Sequence, residues 1–482
     1  MVVQINTPCP EFANDLADVA RVFLGALEYS ADPLASADLT IWHTQAEENG
    51  HILCKIRVSG LYTGEAERQF DRQTGPLLQK RLHKRALKIA LYEVLKNATG
   101  RTPPWGSLTG IRPTRILYAE MEQGKSLSQA RDIARQTFDV SEEKLDLLEE
   151  IISVQSALPP IGRGEIDVYV GIPFCTTRCA YCSFLSGEIG KGKQVAPYVD
   201  ALLREISGTK QLIAAHHLQV GTVYIGGGTP TALPHAQLRR VLEAVSHLAS
   251  GKEFTVEAGR ADTIDREKLQ MILDAGATRI SINPQTAHDE TLQRIGRRHT
   301  RADVEEAYAL ARSMGFHHIN MDLIAGLPGE NEGMFEETLA WAKTLHPESL
   351  TVHTLSIKHS SLLHLWGAIL PDGEMVARMV RKGRECAHEM GMQAYYLYRQ
   401  KYMAGNLENV GYALAGHACR YNVHMMEETG SVLALGAGGI SKKVYPTGGK
   451  ICRAPNVSDI GQYIERVDEM LQRKKDMLGN DD

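Results

Sequence analysis

Six short β-rich runs, "IDVYVGIP", "TVYIGGGTP", "EFTVEAGR", "RISINPQ", "HINMDLIAGLP" and "SLTVHTLSI", alternate with longer stretches of helical spacing. Among the latter are "YVDALLREISGTKQLIAAHH", "HAQLRRVLEAVSHLAS" and "RADVEEAYALARSMG". Successive βα units joined by right-handed crossovers build a parallel sheet. Six in a row favour a curved, TIM-like partial (β/α)6 barrel over a flat doubly wound sheet. Chemistry in such α/β folds gathers at the C-terminal strand ends. Here those ends carry Cys175, Cys179 and Cys182 after the first strand and "GGGTP" after the second. Glu257 lies in the third, Gln285 after the fourth and Asp322 in the fifth.

The 482 residues, 43% of them hydrophobic, suffice for two domains. Before residue 160, "DLTIWH" and "HILCKIRVSG" alternate as strands do. "LLQKRLHKRALKIALYEVLKNATG" has helical spacing and stops at a glycine, and two further helical stretches, "SLSQARDIARQTF" and "SEEKLDLLEEIISVQSAL", follow. "LPPIGRG" reads as a linker. The expected organisation is an N-terminal α+β domain over 1–160, the barrel core over 161–365 and a C-terminal extension over 366–482. The N-terminus lacks a basic region followed by an apolar one, and no run of about 18 apolar residues occurs, so a cytoplasmic protein without a membrane segment is expected. A formal charge of −5 gives no support for a nucleic-acid-coating surface, and no nucleic-acid partner is expected.

Five cysteines are scattered (Cys9, Cys54, Cys386, Cys419, Cys452) and make no disulfide framework; the clustered three suit a metal. On the C-x3-C-x2-C array alone three readings stand. A [4Fe–4S] cluster on three cysteines leaves one iron open to a small molecule. A structural zinc site wants a fourth ligand, which no matching spacing supplies. Reactive or merely buried thiols are the third. "YIGGGTPT" taken alone is a tight strand-to-helix turn whose backbone can approach a ligand.

Together, these segments resemble the radical S-adenosylmethionine (SAM) superfamily and, within it, the oxygen-independent coproporphyrinogen III oxidase group. Tyr169-Val-Gly-Ile-Pro-Phe-Cys175 is similar to the group's cluster-loop approach. Gly226 to Pro230, Glu257, Gln285, Arg297 of "GRRHT" and Asp322 of "DLIAGLP" match its later motifs, with a fainter match near Ile440. "PWGSLTGIRPTRI" and "YYLYRQKYMAGNLENVGYA" resemble the longer bacterial, HemZ-type branch. The resemblance implies a radical SAM barrel with a [4Fe–4S] cluster on Cys175, Cys179 and Cys182. SAM on the cluster would touch Tyr169, Gly226, Glu257 and Ile440. A second SAM site would be lined by Tyr181, Gly227, Gly228, Gln285, Arg297, Asp322 and Ser356. It also implies conversion of coproporphyrinogen III propionates to vinyls, giving protoporphyrinogen IX, with an electron donor such as flavodoxin or ferredoxin.

Two departures bear on function. The chain reads Cys182-Ser183-Phe184 where established oxidases of the group end in C-x-C, and Gly171 stands where they carry histidine. Haem chaperones of the same branch end in C-x-F, but this chain lacks their "HNxxYW" segment. The expected activity is the oxidase; the alternatives are a haem chaperone and, behind it, a radical SAM RNA-modifying enzyme suggested by the basic "KRLHKRALK". "YYLYRQKY" offers aromatics and an arginine to a flat, charged substrate. Plainer readings stand beside these roles: Asp322 as a helix cap, Arg297 and Arg298 as a solvated turn, Tyr181 as packing, "KRLHKRALK" as a solvated face, "YYLYRQKY" as a core edge, His216 and His317 as surface histidines, and Cys419 as a buried or free thiol.

Overall fold

A computed structural model describes residues 1–25, 27–30, 36–182, 187–249, 251–358, 360–445 and 450–480. Contacts divide it into two units, Met1–Glu149 and Glu150–Asp482. The division falls inside the helix Glu142–Ser156, earlier than the Pro- and Gly-rich segment expected as the linker.

In the first unit, strands β1 (Val2–Asn6), β2 (Glu28–Ser30), β3 (Leu39–Glu48), β4 (His51–Gly60) and β5 (Gly64–Asp71) form a sheet in the order β2-β1-β3-β4-β5. Helices Ala13–Leu24 and Pro76–Thr99 cover one face. The long helix buries His83, Ala86, Leu87, Ala90, Leu91 and Val94, the i, i+3, i+4 stripe of an amphipathic helix, and leaves Lys80 and Arg81 exposed. It ends where Gly100 takes φ +67° and returns its N–H to Lys96 O. The expected "SLSQARDIARQTF" helix begins at a capping box between Ser126 and Gln129.

The six expected core strands are present: β6 (Glu165–Ile172), β9 (Gln219–Gly227), β10 (Glu253–Gly259), β11 (Arg279–Ile282), β12 (Ile319–Ala325) and β13 (Ser349–Thr354). They pair in parallel, each with the next in sequence. Two short strands, β7 (Phe174–Cys175) and β8 (Gly187–Glu188), pair beside them. The first and last core strands do not pair with each other, so the barrel is open. Residues 366–482 extend both of its edges. Strands β14 (Gln393–Tyr398) and β15 (Asn409–Ala413) continue antiparallel from β13. On the other edge β16 (Val432–Leu435) runs parallel to β6 and leads to β17 (Ile440–Val444) and β18 (Ile451–Pro455). The result is one eleven-stranded sheet to which the C-terminal region belongs. Among the described residues no helix is long and apolar enough to cross a membrane.

Pairing β16 to β6 brings the loop "GAGGI" to the rim that carries the cysteines. Gly436 has φ +93°, and a Cβ there would meet Gly171 O at 2.4 Å, so only glycine fits. Its N–H donates to Glu205 Oε2 (2.8 Å), which also accepts from Tyr463 Oη (2.5 Å). Glu205 Oε1 accepts from Asn456 Nδ2 (2.8 Å) and Lys474 Nζ (2.6 Å), and both charged side chains are wholly buried. Removing one partner of such a pair leaves an uncompensated charge. Lys474→Met is therefore expected to cost about 3–5 kcal/mol, read as a lower urea midpoint; an unchanged midpoint would show that the pair does not hold this loop.

Candidate active site at the strand ends

The pairing register places the polar strand residues on one face of the pleat. Tyr169 pairs with Tyr224, Tyr224 with Thr255, Glu257 with Ser281, Ser281 with Asn320, and Asp322 with Thr351. Side chains alternate with period two, so Tyr169, Tyr224, Gly226, Glu257, Asn320, Asp322 and His353 look into the barrel while their neighbours pack outward.

The cysteine loop follows Pro173. Cys175 and Cys182 are partly exposed, Cys179 is buried, and none is in a disulfide. The loop is pinned from several directions. Thr176 Oγ1 donates to Asp262 Oδ2 (3.0 Å), Thr177 Oγ1 to Gly296 O (2.8 Å), and Ala180 N to Ile295 O (2.9 Å). Ala180 O accepts from Leu363 N (2.9 Å). Arg260, buried beneath, donates to Thr177 Oγ1 (2.7 Å), reaches Cys179 Sγ at 4.0 Å, and pairs with Asp262 (3.0 Å). Burial opposes ionisation of Asp262, but bonds from His299, Arg260 and Thr176 outweigh it and hold the carboxyl well below the usual range. Phe184 lies outside the described residues.

The glycines of "GGGTP" are required by proximity. A Cβ at Gly228 would come within 2.6 Å of Phe174 O and 3.0 Å of Cys175 Sγ; one at Gly226 would come within 2.8 Å of both Glu257 Oε2 and Tyr224 Cε1. Gly227, at φ +109°, donates its N–H to Glu257 Oε2 (3.3 Å). Tyr224 Oη donates to Glu257 Oε1 (2.5 Å). Burial nevertheless pushes the Glu257 carboxyl up to about 7, the nearby Asp322 charge adding to the rise. Tyr224 stacks on Tyr421 (4.5 Å between centroids, 22°), which in turn stacks on Tyr169 (6.2 Å, 14°). Tyr169, Tyr421, Gly438, Gly439 and Ile440 line a cavity of about 170 Å³, and Ile440 is half exposed beside it. The structure thus brings together all four residues expected at the first SAM position: Tyr169 and Ile440 on one cavity, and Gly226 and Glu257 in contact through the Tyr224 stack.

Of the second set, Tyr181 and Arg297 meet. The buried Arg297 donates through Nη2 to Tyr181 Oη (3.1 Å) and through Nη1 to Asn283 O (2.6 Å). Its Nε is buried without a hydrogen-bond partner. Burial opposes its charge, but Tyr181 and Cys179 outweigh it and hold the guanidinium protonated. Arg298 is exposed, so only one arginine of "GRRHT" faces inward. Gln285 is buried at φ +73°, an uncommon backbone for a side-chain-bearing residue. It is held there by Asp322 O (2.9 Å) and Ile324 N (3.0 Å). Asp322 sits in β12 and caps no helix. It accepts from Asn320 Nδ2 (2.8 Å) and faces His353 Nε2 (3.6 Å), and these, with Thr351, outweigh burial and lower its carboxyl below the ordinary range. Ser356 donates to Lys401 O (3.0 Å).

Other residues resolve toward packing. Tyr395, Tyr396 and Arg399 of "YYLYRQKY" are buried, and Arg399 donates to Asn406 O (2.9 Å) and Leu407 O (3.4 Å). Cys419 is buried against Glu253 Oε1 (3.3 Å) and its thiol is pushed up to about 12 by burial. No sequence motif assigns Arg260, Tyr224 or Tyr421 to the site. Tyr224 was accessible from period-two spacing to Gly226, whereas nothing local to Tyr421 marks it.

Comparison with known proteins bears on the family and the fold. The radical SAM superfamily model matches residues 169–342. The oxygen-independent coproporphyrinogen-III oxidase-like protein HemZ of Bacillus subtilis is 36% identical over 95% of this chain and 94% of its own length. The chain belongs to this HemZ-like, oxygen-independent coproporphyrinogen-III oxidase family of the radical SAM superfamily. The haem chaperone HemW of Escherichia coli is 29% identical over 64% of this chain and 78% of its own. The solved Escherichia coli coproporphyrinogen III oxidase HemN, a radical SAM enzyme, shares the fold, with a TM-score of 0.52 and 23% identity over 64% of this chain and 70% of that one. Radical SAM proteins use a [4Fe–4S] cluster and SAM. The residues present suit both: thiols outside any disulfide on a pinned loop, a glycine edge that leaves room beside Cys175, and an Arg297 Nε buried without a hydrogen-bond partner near Cys179.

Proposed function

We propose that this protein catalyses oxidative decarboxylation of coproporphyrinogen III propionates to vinyl groups, giving protoporphyrinogen IX, in the cytoplasm and with a flavodoxin or ferredoxin as electron donor. The observation that carries the reading is a chain of polar residues along the strand ends: Glu257 feels the Asp322 charge, Asp322 O accepts from Gln285 N, and Arg297 donates to Asn283 O two residues before Gln285. Cys175, Cys179 and Cys182 would hold three irons of the cluster. SAM bound there would supply radical chemistry for hydrogen abstraction from a propionate. Each propionate then loses carbon dioxide and one electron, which an acceptor must remove. Tyr169, Gly226, Glu257 and Ile440 hold that SAM. On this reading Tyr181, Gly227, Gly228, Gln285, Arg297, Asp322 and Ser356 would contact a second SAM. Anaerobic turnover with reconstituted cluster, SAM, reductant and coproporphyrinogen III tests it: carbon dioxide and vinyl products are expected, and their absence overturns the proposal.

Glu257 gives the reading a pH dependence. Its carboxyl is raised to about 7 in the free protein, so the proton it keeps between its ordinary value and 7 is lost in the unfolded chain, and stability falls as pH rises through that window. The ammonium of SAM pairs with the ionised form. Binding therefore releases a proton below pH 7, and affinity falls by up to about tenfold for each unit the pH is lowered there. Calorimetry in buffers of different ionisation enthalpy should show the release, and Glu257→Gln should remove it. A SAM affinity flat between about pH 6 and 8 would exclude this role for Glu257.

The haem-chaperone reading has an observation of its own, the similarity to HemW across the barrel. Stable haem binding and transfer without vinyl product would favour it.

A further inference from the structure

The N-terminal unit buries a trio of metal-binding side chains. His43 stands on β3, Cys54 on the adjacent β4 and His83 on the helix Pro76–Thr99 that packs over both. The antiparallel register pairs Gln45 with Cys54 and His43 with Ile56, so His43 and Cys54 are diagonal neighbours on the face turned to the helix. One ligand atom from each of the three lies within 4.8 Å of the other two, and all three residues are buried. Packing accounts for part of this, since His83 meets the Phe12 ring edge-on at 4.9 Å and the His43 ring at 5.7 Å.

Packing does not account for the polar atoms. Nε2 of His43 and Nε2 of His83 are both buried with no hydrogen-bond partner. An unpaired buried polar group costs about 1–3 kcal/mol, and here two fall in one cluster with a thiol. Thr7 Oγ1 lies 2.9 Å from His43 Nδ1. A hydroxyl accepting from Nδ1–H leaves the Nε2 lone pair free, which is the outer hydrogen bond that orients a ligating imidazole.

We propose that the N-terminal unit holds a zinc-class divalent cation on the imidazoles of His43 and His83 and the thiolate of Cys54. Binding displaces the Cys54 thiol proton to solvent, and the two neutral imidazoles donate their lone pairs. Tetrahedral zinc needs ligand atoms about 3.3–3.8 Å apart, so the trio closes by a small side-chain movement. The fourth position takes water or the Cys9 thiol, which packs against the same core. The ion ties two strands to the helix and answers both orphaned nitrogens. This site is separate from the cysteine loop and does not depend on the catalytic reading.

The test uses the untagged full-length chain with Cys175, Cys179 and Cys182 changed to serine, which removes the cluster site. Zinc analysis should give about one ion per chain. Cobalt(II) titration should give the intense visible bands of a tetrahedral site and a thiolate-to-cobalt charge-transfer band. Cys54→Ala, which keeps a small apolar side chain in the core, should lose the charge-transfer band and at least tenfold in affinity. The cobalt titration of the unaltered trio needs no core variant, so a folding failure in Cys54→Ala leaves the proposal testable. No tetrahedral cobalt spectrum, or the same spectrum and affinity in folded Cys54→Ala, overturns it.

Discussion

Serine at Cys175, Cys179 or Cys182 is expected to abolish assembly of the iron–sulfur cluster, whereas serine at Cys9, Cys54, Cys386 or Cys452 should leave iron and sulfide content unchanged. The contrast follows from placement. Each of the first three belongs to a loop fixed by Thr176, Thr177 and Ala180 against three separate segments of the barrel rim. A serine oxygen there binds iron poorly, and the loop is too firmly held to bring a substitute donor. The other four lie elsewhere: Cys9 and Cys54 in the N-terminal core, Cys386 against Leu339 O (3.8 Å), and Cys452 on β18. Anaerobic reconstitution followed by iron, sulfide and zinc analysis checks the result. No sulfide in the unaltered protein, with zinc that is lost on Cys175→Ser, Cys179→Ser or Cys182→Ser, would replace the cluster by a zinc site in the loop.

The barrel was legible because each strand is short, apolar and followed by a helix of distinct period, which fixes strand order and the end where the site forms. Glu257 stood out because an acid inside "FTVEA" has no place on a packed outer face. What the sequence hid was made by contacts between distant segments. Tyr421 joins Tyr169 and Tyr224 only because its helix follows β15 back across the sheet. Lys474 reads in "LQRKKDM" as part of a solvated charge run, yet it is wholly buried against Glu205, some 270 residues earlier. Arg399, which the sequence offers either to a charged substrate or to a core edge, answers backbone carbonyls of its own turn. Charge along the chain thus marked where polar groups occur but not which of them faces the barrel; strand register decided that.

Arg297→Lys and Asp322→Asn should each lower porphyrinogen decarboxylation by about 10²-fold or more while leaving the cluster intact. That is the usual loss when one preorganised charged or hydrogen-bonding group is removed from a dry site. Neither residue is a thiol ligand. Lysine keeps the charge of Arg297 but loses the fork that joins Tyr181 Oη to Asn283 O, so Tyr181, between Cys179 and Cys182, loses its anchor. Asparagine keeps the shape of Asp322 but removes the negative charge that faces His353 and opposes Glu257. The paired measurement is product formation against iron content and SAM cleavage. Full decarboxylation in both variants would place the substrate elsewhere. If the unaltered protein gives no vinyl product but binds haem and hands it to an acceptor protein, the same barrel is working as a carrier. RNA binding that falls steeply with salt and is lost when Lys80, Arg81, Lys84 and Arg85 are neutralised would point to nucleic acid. One fold accommodates all three chemistries, so the discriminating quantity is the product released beside Arg297 and Asp322.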